Sequence, residues 1–383
     1  MSGDSEFQDQ ACCRFVGSVR LKSLKSGVLV PSELMVIRKG LVHMQRKLVV
    51  FLLMVSVSWQ FAMGDDFKPE RCEVIPLPGD QVSLRIDGVE KLGWHFGKQY
   101  PRPFFYPFNG PAGVSLTRMG HPGAQNHDHH RSVWFAHHKV NGLDFWSDND
   151  GTHVRQKHWL RYRDGNNEAV MGVRLGWYDP QNAEVMEQDV VAALRPLEDD
   201  EFELELQITI RPPTDMETVT LEKTNFGLLA VRVSKTLSAY FGGGQLRSSE
   251  GGVGEPAIFG KPARWMDYCG PVVVGQEETR HVVSEGITFF DHPRNPRYPT
   301  HWHVREDGWM GASFTMNESF VVNRQDPLTL RYLLHAHNGE YDAAVAEAVH
   351  GRFASRPGFV IRRPKPGEKH RQFEIERLAG PKK

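Results

Sequence analysis

Histidines are concentrated in one short stretch of this 383-residue chain. Six of the 18 histidines lie between positions 121 and 138. Imidazole exchanges protons near neutral pH and binds metal ions, so the stretch predicts acid–base catalysis on a polar substrate or a metal site. The structural alternative is a polar loop whose imidazoles bond to one another and to the backbone. Within the stretch, we predict His129 and His130 as proton donors and Arg131 and Trp134 as substrate-binding residues.

A second stretch with side chains that could take part in chemistry runs from Asp291 to His303 and follows a predicted strand. Asp291 can accept the second ring proton of His292 and fix its tautomer, which makes His292 a third candidate proton donor. The alternative is a structural corner, because three prolines stiffen this segment. The predicted substrate-binding residues here are Asn295, Trp302 and His303.

A glycine-rich stretch from 241 to 255 runs into a mixed polar segment that ends at 267. Glycine allows the backbone to approach a ligand closely, but the phosphate-loop pattern Gly-x-x-x-x-Gly-Lys-Ser/Thr is absent. An exposed flexible turn is the structural alternative. The predicted proton acceptors are Glu250, Glu255 and Asp267, and the predicted substrate-binding residues are Lys261 and Trp265.

A fourth stretch, 141–151, combines an Asn-Gly hairpin signal with several carboxylates and an aromatic residue. Its Asp-Asn-Asp-Gly end resembles part of a calcium loop but lacks the closing glutamate, so a turn is the better interpretation. Asp144 and Trp146 are the predicted substrate-binding residues. Flat aromatic faces beside polar side chains suit sugar rings, although most aromatic residues in a sandwich belong to its core.

These residue types together predict an exported enzyme that acts on a sugar or glycoside. Ring opening, epimerisation and glycosidic cleavage each need one group that donates a proton and one that accepts it. The prediction requires the segments around His130, Trp265 and His292 to line one pocket. Such an enzyme needs no cofactor, and its partner is a carbohydrate or another small polar molecule.

Two alternatives remain open. A metal-dependent enzyme would hold a divalent ion through histidines, although the sequence lacks His-Glu-x-x-His and Cys-x-x-Cys. A non-catalytic glycan-binding or envelope protein would bind without turnover. The histidines available to a metal are His127, His129, His137 and His303.

The elements that must position these residues are mostly strands. From 201 to 211 apolar and polar residues alternate strictly, which predicts a strand with one buried and one solvent-facing side. One helix is predicted, from Tyr341 to about Phe353. Many short strands separated by turn residues, followed by this helix, predict a large antiparallel β-sandwich with one short C-terminal helix. The other predicted strands are 81–86, 169–178, 184–194, 227–234, 280–290, 311–314 and 328–337.

Composition supports one globular β-rich domain. Hydrophobic residues make up 40% and charged residues 24%, while 36 glycines and 24 prolines indicate many turns. The net charge of -1 argues against a broad electrostatic interaction with nucleic acid. We interpret 65–383 as a single domain, with irregular loops at 100–130 and 242–270 and a solvated charged tail at 362–383.

The N-terminal region predicts export to the periplasm or the extracellular space. Residues 44–64 have a basic start, an apolar run of about 10 residues and a small-x-small end, as signal peptides do. That run is too short to span a bilayer. We interpret 1–43 as an upstream segment outside the true protein. The mature chain keeps Cys72 and Cys269, which either pair or lie buried separately.

Four motifs, in order, resemble the signature of secreted bacterial proteins catalogued as "methane oxygenase PmoA-like". The resemblance covers most of 75–355 and implies a β-supersandwich similar to galactose mutarotases and related sugar-active enzymes. Methane oxidation is not carried over, because a membrane methane oxygenase subunit has several hydrophobic spans and the mature chain has none. The motifs lie at 129–146, 223–233, 260–270 and 291–299.

Overall fold

A computed structural model describes residues 68–121, 123–124, 127–367 and 370–379. The predicted signal peptide and the segment upstream of it lie outside these residues. Within the described ranges, no helix has the length and apolar character that a membrane crossing requires.

Strands dominate the structure. The helices are α1 (Glu255–Ile258) and α2 (Ala343–Ser355). The strands are β1 (Cys72–Leu77), β2 (Gln81–Ile86), β3 (Val89–His95), β4 (Phe104–Phe108), β5 (Val133–His137), β6 (His153–Arg163), β7 (Ala169–Tyr178), β8 (Glu184–Pro196), β9 (Phe202–Arg211), β10 (Thr218–Leu221), β11 (Gly227–Arg232), β12 (Gln245–Ser248), β13 (Trp265–Val274), β14 (His281–Asp291), β15 (Trp302–Arg305), β16 (Trp309–Ala312), β17 (Phe320–Asn323), β18 (Leu328–Asn338), β19 (Phe359–Arg362) and β20 (Glu374–Arg377).

Two eight-stranded antiparallel sheets form a sandwich, which confirms the predicted fold class. The first sheet has the order β1-β2-β3-β4-β5-β11-β16-β15, and the second has the order β12-β13-β14-β18-β9-β8-β7-β6. Alternate residues of each strand point between the sheets and build one apolar core, to which Phe135, Val231 and Met310 contribute from the first sheet and Leu206 and Ile287 from the second. The other residues of each strand point to the two outer faces, where side chains can contact a ligand.

The prediction that the polar side of the strand at 201–211 faces solvent is wrong. Glu203, Glu205 and Gln207 are all buried on the outer face of the second sheet. The tail that was expected to be solvated covers this face, because β19 and β20 pair as a hairpin that buries Ile375. Arginines from later parts of the chain compensate the buried carboxylates.

Helix α2 covers another part of the same outer face. The Asp342 carboxylate caps the helix by accepting hydrogen bonds from the backbone N–H groups of residues 344 and 345. Ala346, Val349 and Phe353 pack on Trp265 of β13 and its neighbours. The predicted helix is therefore confirmed, with bounds two residues further along the chain.

The two stretches predicted to be irregular are only partly so. Strand β4 lies inside 100–130, and β12 and the start of β13 lie inside 242–270. Prolines and glycines obscure their alternation in the sequence. The described cysteines, Cys72 and Cys269, are both free and buried, so the alternative without a disulfide is the one found.

Candidate functional site

The outer face of the first sheet carries a row of side chains that crosses five strands. Register places Phe104 opposite Trp134, Trp134 opposite Ala230, Ala230 opposite Gly311, and Gly311 opposite His303. The two smallest residues occupy the middle of the row, between the indole of Trp134 and the imidazole of His303. A Cβ atom at position 311 would lie 2.9 Å from Nε1 of Trp309. The row therefore forms a recess into which larger rings from neighbouring segments fold.

Aromatic rings fill this recess. Trp309 packs against His303 with ring centroids 4.1 Å apart and stacks on Trp146 at 5.1 Å. Trp134 lies 5.7 Å from Trp146, and Phe226 lies 5.0 Å from His303. These five rings are called the aromatic cluster below. The turn that presents Trp146 is shaped by Asp144, whose carboxylate accepts the backbone N–H groups of residues 146 and 147.

Four imidazoles lie above and beside the aromatic cluster. Ring centroids of His129 and His130 are 4.4 Å apart, and His127 lies 5.1 Å from His130 and 5.3 Å from His121. We call these four residues the histidine cluster. Antiparallel bridges between residues 119 and 131 and between 117 and 233 attach their loop to the sheet. His130 is buried against Trp134 and Trp309, whereas the other three imidazoles are partly exposed.

Burial holds the deepest imidazoles of the site in the neutral form. It lowers the pKa of His129 to about 4, an effect that Arg102 reinforces and Asp148 opposes. The pKa of His130 falls far below its ordinary value, through burial first and then through the other histidines and Arg232. A neutral imidazole has one nitrogen that donates and one that accepts a hydrogen bond. At neutral pH these two rings therefore stay neutral and take up a proton only weakly.

An arginine–aspartate group flanks the histidine cluster on each side. On one side, the Asp148 carboxylate accepts hydrogen bonds from Arg131 and lies 3.0 Å from Nη1 of Arg102. On the other side, Arg232 donates to both carboxylate oxygens of Asp307, at 2.7 and 3.0 Å. His121 Nε2 lies 3.0 Å from the same carboxylate, which orients that ring. The arginines hold the pKa values of both carboxyl groups below their ordinary value.

Several buried nitrogen atoms of this site have no hydrogen-bond partner among the described residues. The indole and guanidinium nitrogens among them can only donate. Buried polar groups in proteins are nearly always bonded, so a concentration of unpaired donors requires an explanation. The atoms are Nδ1 of His130, Nε1 of Trp134, Nε2 of His303, Nε1 of Trp309, Nε and Nη1 of Arg118, and Nε of Arg232.

The expectation that segments around His130, Trp265 and His292 line one pocket is wrong. His130 belongs to the outer face of the first sheet, whereas Trp265 packs under α2 on the outer face of the second. His292 also lies on that side, where its Nε2 is 2.8 Å from Nη1 of Arg331. Because the apolar core separates the two faces, these residues cannot act on one substrate.

Asp267 also lies on the outer face of the second sheet, in a separate buried pair. Its carboxylate accepts hydrogen bonds from His337 Nε2 at 2.9 Å and from the Thr288 hydroxyl at 2.7 Å. Asn295 is likewise buried there and joins two segments, since its amide donates to Asp291 and to the backbone carbonyl of residue 331. These contacts give both residues structural partners.

The remaining predicted residues lie away from the aromatic cluster. Trp302 is in the core, where its indole donates to the carbonyl of residue 263. Glu255 is paired with Arg305 at 2.6 Å. Glu250 accepts a hydrogen bond from the neighbouring serine hydroxyl and, with Lys261, lines a separate cavity of about 360 Å³ beside α1.

The metal alternative depended on histidines that the structure divides. His137 is buried with both nitrogens occupied: Nε2 lies 3.0 Å from the Thr315 hydroxyl, and Nδ1 accepts the N–H of residue 139. His303 belongs to the aromatic cluster, where its ring lies against Trp309. In the described part of the chain, no group of three His, Cys, Asp or Glu side chains has a geometry suited to a metal ion.

Sequence reasoning missed the residues that complete the site. Arg232 is a charged residue at the end of a predicted apolar strand, and that position was the only local signal of its role. Asp307 lies in the turn between β15 and β16, and Trp309 follows that turn. The long distance along the chain between this turn and 121–146 conceals their proximity. Strand pairing of β5, β11 and β16 brings them together.

Comparison with known proteins places the chain within one family. Residues 81–350 match the model of a family described as "Family of unknown function (DUF6807)". The matched range contains the aromatic cluster, the histidine cluster and both arginine–aspartate groups. A search of curated proteins finds no match.

Proposed function

The chain belongs to DUF6807, a family of unknown function, and we propose that it is an exported protein that binds a sugar and acts on it by proton transfer. The binding site is the recess formed by the aromatic and histidine clusters on the outer face of the first sheet. This proposal keeps the sugar chemistry expected from the sequence but moves it to a different set of carboxylates, Asp148 and Asp307.

The unpaired buried nitrogens carry this proposal. The indole N–H groups of Trp134 and Trp309 and the guanidinium N–H groups of Arg118 and Arg232 need oxygen acceptors. Sugars present many oxygen atoms together with apolar C–H faces, and indole rings complement both features. These donor atoms are covered by neighbouring side chains in the structure, so a hydroxyl-rich ligand satisfies them, together with the aromatic surfaces, once those side chains move aside.

Proton transfer in this site is assigned to His129. Its imidazole is neutral at physiological pH, partly exposed, and adjacent to the buried ring of His130. The neutral imidazole at the mouth of the recess takes a proton from the anomeric hydroxyl and returns it, as a short-lived imidazolium, to the ring oxygen that becomes the new hydroxyl. The arginine-bound carboxylates of Asp148 and Asp307 stay ionised and stabilise positive charge that develops on the histidines.

The test is a panel of mono- and oligosaccharides, with binding followed by calorimetry and turnover by NMR. We expect at least one sugar to bind, and we expect Trp309→Phe to weaken that binding by about tenfold because it deletes one donor and replaces the indole with a smaller aromatic ring. Trp159→Phe, on β6 of the second sheet, is the matched control and should bind as the wild type does. Failure of every sugar to bind the wild type would refute the proposal.

Catalysis is tested separately from binding. His129→Asn should abolish turnover while the sugar still binds, and His281→Asn, at an exposed position of the second sheet, should retain it. A non-catalytic glycan-binding protein is the second candidate, favoured by the engagement of Asp148 and Asp307 with arginines. Saturable binding of a sugar by the wild type without any turnover would select that candidate.

A further inference from the structure

A second cavity lies on the opposite side of the molecule, and the proposed function does not use it. Its volume is about 410 Å³, within the range of small-molecule sites. The outer face of the second sheet forms its floor, and β19 with Leu378 forms one wall. Arg294 and Asn295, from the proline-rich segment at 291–299, stand at its edge.

The charged residues that line this cavity are mostly positive. They are three arginines, Arg211, Arg294 and Arg331, and one carboxylate, Asp189. Asp189 is already engaged, because it accepts hydrogen bonds from both Arg174 and Arg211. Arg211 also donates to Glu187, and Arg331 donates to Glu205, so Arg294 is the arginine of this lining that pairs with no described carboxylate.

Arg331 and Arg294 contribute unused donors. Arg331 is 6% exposed and bonds through its two terminal nitrogens to Glu205 and to His292, but its Nε has no partner. A Cβ atom at Gly358, which also lines the cavity, would lie 3.5 Å from that Nε, so no side chain at position 358 separates the buried guanidinium from the cavity. The side chain of Arg294 is exposed and makes no hydrogen bond or ion pair with any described residue.

An ion network on the same outer face adjoins the cavity through Arg331. Its six arginines share three glutamates, and water screens the more exposed arginines. The network consists of Arg163, Arg195, Arg331, Arg352, Arg356 and Arg377 around Glu168, Glu203 and Glu205.

The rest of the cavity lining has a polar part and an apolar part. The hydroxyls of Thr209 and Thr329 lie 3.2 Å apart on the floor, where they can bond to ligand oxygens. Phe359, Ile361 and Leu378 form an apolar wall. The occupant should therefore combine an anionic group with hydroxyls and an apolar surface.

We infer that this cavity is a second ligand site, which binds a small polar molecule carrying a carboxylate, sulfate or phosphate group. The Arg294 guanidinium binds the anionic oxygens, because guanidinium groups form strong charge-assisted hydrogen bonds to such groups, and the buried guanidinium of Arg331 adds positive charge beside it. The Thr329 hydroxyl and the apolar wall contact the rest of the ligand. The site is independent of the aromatic and histidine clusters, which lie beyond the core.

Calorimetric titration of the full protein at constant ionic strength tests the inference with sodium sulfate, inorganic phosphate and glucuronate, and with glucose as the neutral control. We expect saturable binding of at least one of the three anions, and the tightest of them identifies the anionic group. Glucose should show no binding that depends on Arg294. Arg294→Ala should weaken anion binding by about tenfold or more.

Arg280→Ala removes an exposed arginine elsewhere on the second sheet and should leave anion binding unchanged. Thr329→Val, at an exposed position, should weaken glucuronate more than sulfate. His129→Asn should not affect anion binding, so this experiment and the test of the proposed function can fail independently of each other. The inference is overturned if none of the anions binds the wild type or if Arg294→Ala binds them as tightly as the wild type.

Discussion

Asp307→Asn tests the electrostatic support of the first site. In the native protein, two charge-assisted hydrogen bonds of 2.7 and 3.0 Å join the Asp307 carboxylate to Arg232, which is 0% exposed. Asparagine retains one oxygen acceptor but removes the negative charge. Loss of one partner from a buried ion pair costs about 3–5 kcal/mol. Because the Asp307 side chain is 27% exposed, water screens part of this effect, and we expect a loss of about 2–4 kcal/mol.

Chemical denaturation by guanidinium chloride measures this loss, and calorimetry should show a fall in Tm of roughly 4–10 °C. The double variant Arg232→Met/Asp307→Asn should be more stable than Asp307→Asn alone, because it leaves no buried charge without a partner. Asp150→Asn, on an exposed loop, is the matched control and should change stability by less than about 0.5 kcal/mol. The reasoning fails if Asp307→Asn is as stable as this control, or if the double variant gains nothing over the single one.

Three further predictions concern the second sheet and the thiols. Burial lowers the pKa of His337, but the Asp267 carboxylate outweighs burial and leaves the pKa raised. The stability advantage of the wild type over His337→Asn should therefore be complete below the unfolded-state pKa of about 6.5 and should shrink as pH rises through the folded-state pKa. Urea titrations from pH 5 to 9 will contradict this if the advantage grows with pH. Asn295→Ala removes hydrogen bonds at three buried groups and should cost about 2–4 kcal/mol in denaturation, whereas a cost below about 1 kcal/mol would show that the two segments do not need this bridge. Burial raises the pKa of Cys72 to about 11 and that of Cys269 to about 12, so both thiols should react with Ellman's reagent only after unfolding, and rapid reaction of the native protein would contradict their burial.

The fold could be predicted from local patterns because strand alternation is written in adjacent residues. The strands at 81–86 and 169–178 have the predicted bounds. The covering of the polar side of β9 could not be predicted in this way. Whether Glu205 is buried depends on Arg331 and Arg377, which come from segments more than 120 residues later. Long-range ion pairing has no period that a local pattern can detect.

The candidate site could be predicted only where its residues lie near one another in sequence. His129, His130, Trp134 and Trp146 fall within 18 positions, and the structure brings them together. The grouping with His292 rested on residue type alone. Residue type does not specify which outer face a strand end reaches, and the register that does so is set by long-range pairing.

The apolar core separates the two proposed sites, and this separation has an energetic consequence. Sites that share no contacts usually respond independently, so the free-energy effects of changes on opposite surfaces should add within about 0.5 kcal/mol. Recognition on one surface can then diverge while the other keeps its chemistry.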